Sequence, residues 1–354
     1  MKIALVTDAW HPQVNGVVRT LETIVGLLRD RGHEILVVSP DQYRSIPAPS
    51  YPEIRLAFTR ARNIGRRIEQ FGPDAIHLAT EGPLCVQARR WCVRNKKSFT
   101  SAYHTQFPEY LAKRTRLSPR FFWPCIRWFH RASEAIMVST ESIRKQLRSE
   151  RLDHVHHWSR GVDLDHFHPD APSPAIYEKL VRPIQLYVGR VAVEKNIEAF
   201  LDCDQPGSKV VVGDGPALAR LKARFPDVHF AGRKSGQELA GYYAGADVFI
   251  FPSKTDTFGL VIIEALACGT PVAAYPVTGP IDILTASSGA MDEDLNGAIR
   301  QALLLKPVDC IAHGQNYSWD KSARQFLDGL VSQDRGLDVH LSRRILAKAI
   351  FARV

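Results

Sequence analysis

The chain has 354 residues, a net charge of +9, 45% hydrophobic residues and six cysteines. That length suits two domains of ordinary size, each with ample core, and no apolar run approaches the roughly eighteen residues of a membrane span. No Cys-x-x-Cys pair supports a zinc site, and the scattered cysteines read as reduced cytosolic thiols rather than a disulfide frame. Met1-Lys2 leads directly into an apolar strand, without the pattern of a secretory signal, so the expected location is cytoplasmic. The charge is one-sided. Residues 1–170 carry 26 Lys and Arg against 17 Asp and Glu, whereas residues 171–354 carry 20 of each. An anionic partner is therefore expected in the first half: a membrane surface, a phosphorylated acceptor or nucleic acid.

Lys2–Thr7 is predicted as a strand, Val17–Arg31 as a helix ended by Gly32, and Glu34–Ser39 as the next strand. This opening is a βαβ half of Rossmann type. The full Gly-x-Gly-x-x-Gly fingerprint is absent, so dinucleotide binding gains little support. Gly16 at the helix mouth lets a phosphate or an acceptor approach backbone amides, but a simple turn glycine reads the same. Further strands are predicted at Ile54–Ala57, Ala75–Ala79, Phe99–Tyr103 and Ala135–Ser139, with helices between them. They give a parallel doubly wound sheet with ligands at the carboxyl ends of its strands. Thr80-Glu81-Gly82-Pro83 and His104–Tyr110 lie at such ends. A lone histidine is more often structural than catalytic, yet His104 follows a buried-looking strand and is expected to face a cleft.

Lys113–Arg131 is the most unusual composition, with six basic residues (Lys113, Arg114, Arg116, Arg120, Arg127, Arg131), five Phe or Trp and no acid. Interleaved basic and aromatic residues suit a lipid headgroup boundary or stacking on single-stranded nucleic acid. The plainer reading is a helix with aromatics inward and charges outward. No RNP, KH or zinc-finger pattern accompanies the segment, so no nucleic-acid partner is expected. His154, His156 and His157 have no acidic or cysteine partner at metal spacing and are placed on the surface. The proline-rich join His168–Pro174 sets the expected division: residues 1–168, residues 169–331, and a basic tail over 332–354.

In the second half, strands are predicted at Ile184–Val188, Lys209–Val212, Val228–Gly232, Val248–Phe251 and Pro271–Tyr275, followed by the stretches Thr278–Asp282 and Gly289–Leu295. Arg190 ends the first of these, and Glu194-Lys195-Asn196 opens the following helix. A strand-to-helix turn offering Arg190 and Lys195 suits a diphosphate, through charge-assisted hydrogen bonds that need no metal; a surface ion pair is the alternative. The strings Asp163-Leu164-Asp165 and Asp202-Cys203-Asp204 have no other ligands nearby in sequence, so no metal site is expected. Tyr317–Trp319 starts a last helix reaching about Val331.

The most informative stretch is Asp247–Tyr275. Thr255, Asp256 and Thr257 are N-cap candidates for a helix over Phe258–Ala267 that stops at Gly269. Glu264 is the one carboxylate on that apolar helix and is costly to bury without a partner. Asp256 lies about two turns earlier, roughly 12 Å along the axis and on nearly the same face. Two carboxylates so placed accept hydroxyls from the two ends of one extended ligand, and the helix N-terminus between them suits an anionic centre. A sugar nucleotide has that order of groups. The local alternative makes Asp256 only an N-cap and Glu264 a core carboxylate with a neighbour.

Residues 252–272, PSKTDTFGLVIIEALACGTPV, resemble the E-x7-E region of retaining family 4 glycosyltransferases, with Asp256 where the first Glu usually stands. GRVAVEKN, Asn15–Arg19, TEGPL, HTQFPEY and Ser159–Asp163 resemble other motifs of that family, so the resemblance spans roughly residues 1–331. It implies an α/β fold of GT-B type: two Rossmann-like parallel-sheet domains facing a central cleft, with the last helix crossing back to the first domain. The first domain is then the acceptor-binding one, and the second holds a nucleoside-diphosphate sugar, a substrate rather than a cofactor. The resemblance implies that Arg190 and Lys195 neutralise the diphosphate and that Glu264 holds ribose. Asp256 with the Phe258, Gly259 and Leu260 backbone holds the sugar, and His104 stands at the reacting centre.

The expected reaction is metal-independent glycosyl transfer with retention. TEGPL, HTQFPEY, SRGVD and TDTFG look most like bacterial phosphatidylinositol mannosyltransferases, diacylglycerol glycosyltransferases and sulfolipid synthases. That likeness favours a lipid acceptor at an anionic membrane face, with Glu81, Lys113, Arg114, Arg116 and Arg120 on the acceptor or membrane side. The alternative in the same class is a GDP-mannose-dependent mannosyltransferase with a soluble or polymer acceptor. The alternative of another class is a non-catalytic sugar-nucleotide-binding membrane module, which the joint presence of Arg190, Lys195, Glu264 and His104 opposes.

Overall fold

The computed structural model describes residues 1–13, 15–48, 51–115, 117–254, 256 and 258–333, without the side chains of residues 51–53, 110, 113 and 114. Two compact units emerge. The first comprises Met1–Ser139, Arg144–Trp158 and the chain from Ala323, and the second Thr140–Ile143 and Ser159–Ser322.

The first unit begins with β1 (Lys2–Val6), α1 (Gly16–Asp30) and β2 (Glu34–Val38). There follow β3 (Ser45–Ala48), β4 (Tyr51–Ala57), α2 (Ala61–Phe71), β5 (Ala75–Leu78) and α3 (Pro83–Arg94). Then come β6 (Thr100–Ala102), α4 (Phe107–Thr115), α5 (Trp123–His130), β7 (Ile136–Val138), α6 (Glu141–Ser149) and β8 (Val155–His157). Six strands form one parallel sheet in the order β2-β1-β5-β6-β7-β8. Its interior strand β1, next to the edge strand β2, is buried at Ile3, Ala4, Leu5 and Val6, as a strand covered on both faces must be. Helix α1 buries Val18, Leu21, Ile24, Val25 and Leu28, a stripe at helical spacing, and Asn15 Oδ1 caps it by accepting from the amides of Val17 and Val18 at 3.0 Å.

The second unit continues with β9 (Ile184–Val188), α7 (Ile197–Leu201), β10 (Ser208–Val212), α8 (Leu218–Arg224), β11 (His229–Gly232) and α9 (Gly236–Ala244). It goes on through β12 (Val248–Phe251), α10 (Leu260–Ala267), β13 (Val272–Ala274), α11 (Pro280–Ile283), β14 (Gly289–Met291), α12 (Leu295–Ala302) and α13 (Pro307–Gly314). The last helix, α14 (Trp319–Gly329), carries the chain back to the first unit, where Phe326 packs against Trp158 with ring centroids 4.9 Å apart. The second sheet is again parallel, in the order β11-β10-β9-β12-β13-β14. Strand order reverses beside β1/β5 in the first sheet and β9/β12 in the second, and crevices at such points are where doubly wound sheets bind ligands.

Several expectations need correction. The segment Ile54–Ala57 belongs to β4, which pairs antiparallel with β3 in a separate two-stranded sheet. The histidine cluster lies on edge strand β8 and its approach, where His157 is exposed as expected but His154 and His156 are half-buried, with His156 Nε2 2.9 Å from the carbonyl of Gln325. Apart from the short excursion at Thr140–Ile143, the chain leaves the first unit at Trp158/Ser159, ahead of the proline-rich join, and Val162, Phe167 and Ala171 are buried in the second core. Val162 N donates to Tyr317 O at 3.1 Å, which ties that approach to the start of α14. The basic tail from residue 334 lies outside the described residues.

Candidate active site

In the second unit, Arg190 follows β9 and residues 252–259 follow β12, so both stand at the reversal point of the sheet. The turn after β9 is tight. Gly213, at the end of β10, has φ +146°, and a Cβ there would stand 1.8 Å from the carbonyl oxygen of Gly189. Only glycine lets the two strand ends approach so closely. Lys195 does not open a helix. It ends a 3-10 turn over Val193–Lys195, and Asn196 takes the left-handed conformation before α7 begins at Ile197. Asn196 Nδ2 donates to the carbonyl of Pro252 at 3.1 Å, which ties this turn to the loop after β12.

That tie brings Lys195 onto Asp256: the ammonium donates to both carboxylate oxygens, at 2.6 and 2.8 Å. Burial pushes the Asp256 carboxyl up, but the Lys195 charge and hydrogen bonds outweigh it and hold the group below its ordinary value. Two residues expected at opposite parts of the donor, diphosphate and sugar, are thus in contact. Asp256 is neither the N-cap of α10 nor on its face. Gly259, with φ +94°, breaks the backbone ahead of Leu260 and stands at the cap position with no side-chain cap. Gly259 has no side chain to cap the first-turn amides of α10, and a helix start of this kind suits an incoming anion. Thr255 and Thr257 lie outside the described residues.

Glu264 is 3% exposed and accepts a hydrogen bond from Tyr243 Oη at 3.0 Å, so the local partner of the plainer reading exists. Phe258 is buried beside Tyr317, ring centroids 6.0 Å apart, and its carbonyl oxygen is 2.8 Å from where a Cβ on Gly279 would lie. One acid of each D-x-D string has a partner within the chain. Asp163 accepts from the amides of Asp165 and His166, and Asp202 pairs with Arg224.

In the first unit, Asp8 follows β1 and Glu81 follows β5, again at a reversal point. Asp8 accepts from Thr80 Oγ1 at 3.0 Å and from the amides of Leu84 and Cys85 at 2.7 and 3.1 Å, which fixes the start of α3. Glu81 Oε1 lies 3.2 Å from Nε2 of His130, a residue wholly buried on α5 that the sequence did not single out. His104, at the carboxyl end of β6, is 7% exposed, with its ring edge toward Trp158 at 5.4 Å. Gly16 is the exposed first residue of α1, whose next two amides are taken by Asn15.

The basic-aromatic segment divides. Trp123 and Phe129 are buried, as the plainer reading requires, while Phe121 and Trp128 are 71% and 41% exposed. Arg120 is exposed, Arg116 lies outside the described residues, and the side chains of Lys113 and Arg114 are likewise outside them. A cavity of about 680 Å³ is lined by Arg89, Arg127, Trp128, Arg131, Glu150 and Arg151, among others. Within it Arg127 pairs with Glu150 at 2.5 Å, and the Arg89 guanidinium sits 3.9 Å from the Trp128 ring centroid. Among the described residues no helix is long and apolar enough to cross a membrane.

Residues 14–166 match the family model described as Glycosyltransferase Family 4, and residues 182–304 the one described as Glycosyl transferases group 1. A GDP-mannose-dependent alpha-mannosyltransferase of Mycobacterium tuberculosis is 30% identical over 80% of this chain and 82% of its own. The alpha-monoglucosyldiacylglycerol synthase of Streptococcus pneumoniae is 28% identical over 99% of this chain and 92% of its own. Among solved structures, sucrose-phosphate synthase from Thermosynechococcus elongatus shares the fold, with a TM-score of 0.75 and 21% identity over 98% of this chain and 99% of that one. With two Rossmann-like parallel sheets, charged residues at both reversal points and these relatives, the chain belongs to the family 4 glycosyltransferases of GT-B fold, enzymes that transfer a sugar from a nucleotide sugar.

Proposed function

We propose that the protein transfers a hexose, with retention and without a metal ion, from a nucleoside-diphosphate sugar to a hydroxyl of a membrane lipid of diacylglycerol or phosphatidylinositol type. The observation that carries the donor half is the Lys195–Asp256 contact beside the uncapped start of α10. Without donor, each charge is the other's partner. A donor diphosphate draws on Lys195, Arg190 and the α10 amides, and releases Asp256 to accept sugar hydroxyls. Negative charge grows on the leaving diphosphate in the transition state, so cations placed there stabilise it more than the ground state. The leaving oxygen then takes the acceptor hydroxyl's proton on the same face of the sugar, which preserves configuration without a carboxylate nucleophile.

The acceptor half is supported by the exposed Phe121 and Trp128, by the arginine-lined cavity and by the diacylglycerol named for the streptococcal relative. On this reading the enzyme works as a peripheral protein at the cytoplasmic face of the cell membrane. The GDP-mannose named for the mycobacterial relative supports a second reading, mannosyl transfer to a soluble or polymer acceptor. The test is a panel of UDP-, GDP- and ADP-hexoses offered with diacylglycerol or phosphatidylinositol in anionic vesicles, with EDTA present and the product's anomeric configuration read by NMR. An α-linked glycolipid from an α-donor supports the proposal. An inverted product, or activity abolished by EDTA and restored by Mg²⁺, overturns the chemistry, and transfer to soluble glycans alone moves the acceptor to the second reading.

A further inference from the structure

At the reversal point of the first sheet, the Glu81 side chain is 7% exposed and the His130 side chain is fully buried, and the two meet at 3.2 Å. The hydroxyls around them fix where the protons are. Ser133 Oγ donates to the carbonyl of His130 at 2.8 Å, which uses its single proton. Ser101 Oγ, 3.0 Å from Ser133 Oγ, must therefore donate there. With that proton directed to Ser133, Ser101 Oγ accepts at its 2.8 Å contact with His130, the arrangement in which Nδ1 carries a hydrogen. Nε2 faces the carboxyl, and a hydrogen bond between them needs one further proton, on either partner.

We infer that Glu81 and His130 hold one proton between them, and that His130 is a positioning residue that fixes Glu81 as the hydrogen-bond partner of the acceptor hydroxyl. The second clause rests on the glycosyl transfer proposed above; the first does not. Around the pair stand Asp8 from the end of β1, Tyr103 from the end of β6 with its ring edge on His130 at 5.9 Å, and Phe129. His154, ahead of β8, reaches the His130 carbonyl at 3.1 Å and so supports the same turn from behind. Burial raises the Glu81 carboxyl, the imidazole contact lowers it, and Asp8 raises it. Removing the imidazole leaves burial less opposed, so the acid limb of acceptor-dependent activity moves to higher pH.

The test uses the full chain with ¹⁵N-labelled histidine and ¹³C-labelled glutamate. At neutral pH without substrates, the expected spectrum shows a protonated Nδ1 and a shared proton at Nε2 for His130. Glu81→Gln, whose amide donates to Nε2 without sharing a proton, should turn His130 into the neutral Nδ1–H form. A bare Nε2 beside a fully ionised Glu81 in the wild type overturns the shared proton. For the positioning role, His130→Ala should raise the acceptor KM about ten-fold and shift the acid limb upward, leaving donor hydrolysis unchanged, while His130→Gln restores most of the acceptor KM. Equal loss in hydrolysis and transfer, or no rescue, overturns that role. Should His130→Ala not fold, His130→Asn, whose shorter amide withdraws from Glu81, takes its place against His130→Gln in the same kinetic split.

Discussion

The reversal points of the two sheets carry charge in opposite ways. In the second unit, Lys195 and Asp256 form a pair whose side chains are 28% and 25% exposed, built from two loops that follow β9 and β12. In the first, Glu81 and His130 form a nearly dry pair backed by Ser101 and Ser133. An ion pair about a quarter exposed is still open to solvent and can exchange its partner when an anion arrives. A buried pair with satisfied neighbours holds its geometry, and breaking it leaves a costly buried charge. The contrast suits a donor that must bind and leave as a diphosphate, and an acceptor hydroxyl that must be aimed.

The largest expected effect is on the exposed pair. Lys195→Ala should lower kcat/KM by about 2–4 kcal/mol, as for the loss of one preorganised donor to a developing charge. Chemical denaturation should change far less. Near-wild-type turnover would break the contrast, because Lys195 would then be only a surface partner of Asp256.

The first unit should be the more sensitive to acid. His77, fully buried with Nδ1 2.8 Å from Thr100 Oγ1, is pushed down to about 3 by burial. Its unfolded pKa is about 6.5. The unfolded chain therefore binds the extra proton first as pH drops. Stability is full above pH 6.5 and is lost progressively down to about pH 3, on the order of a few kcal/mol. Urea melts across that window should show the slope, and His77→Gln should flatten it. Asp256, held below its ordinary value by Lys195, has its contribution intact above the unfolded carboxyl pKa near 3.9 and loses it only in stronger acid. A wild-type slope unchanged in His77→Gln would assign the acid sensitivity elsewhere.

Membrane binding comes next, at about 1 kcal/mol for each basic residue near an anionic leaflet. Changing Lys113, Arg114, Arg116 and Arg120 to Ser should weaken sedimentation with anionic vesicles and its salt sensitivity, and lower transfer to lipid while sparing donor hydrolysis. Binding indifferent to the four changes would favour the soluble acceptor. The smallest effect is expected for Tyr243→Phe. It removes one hydrogen bond to buried Glu264 and should cost about 1 kcal/mol of stability, read by denaturation, with a weaker nucleotide interaction if Glu264 meets the ribose.

Much of this molecule was legible in local pattern. The apolar runs of β1, β9 and β12 announce strands buried on both faces, and their alternation with amphipathic helices allows little but parallel sheets. Glu81 and Arg190 are legible as charged residues at strand ends, where doubly wound sheets bind ligands, and Asp256 as a candidate cap of the helix that follows. What the sequence could not decide was partnership. Lys195 and Asp256 are 61 residues apart and read, along the chain, as contacts for different parts of one ligand, and the Asn196–Pro252 hydrogen bond across the β9/β12 crevice joins their loops. His130 reads as one more residue of a basic-aromatic run, and only the packing of α5 against the end of β5 turns its ring to Glu81. Periodicity and turn chemistry act over a few residues and are written along the chain. Ion pairs and buried proton networks depend on which strand ends become neighbours, and that is decided by the order of strands in the folded sheet.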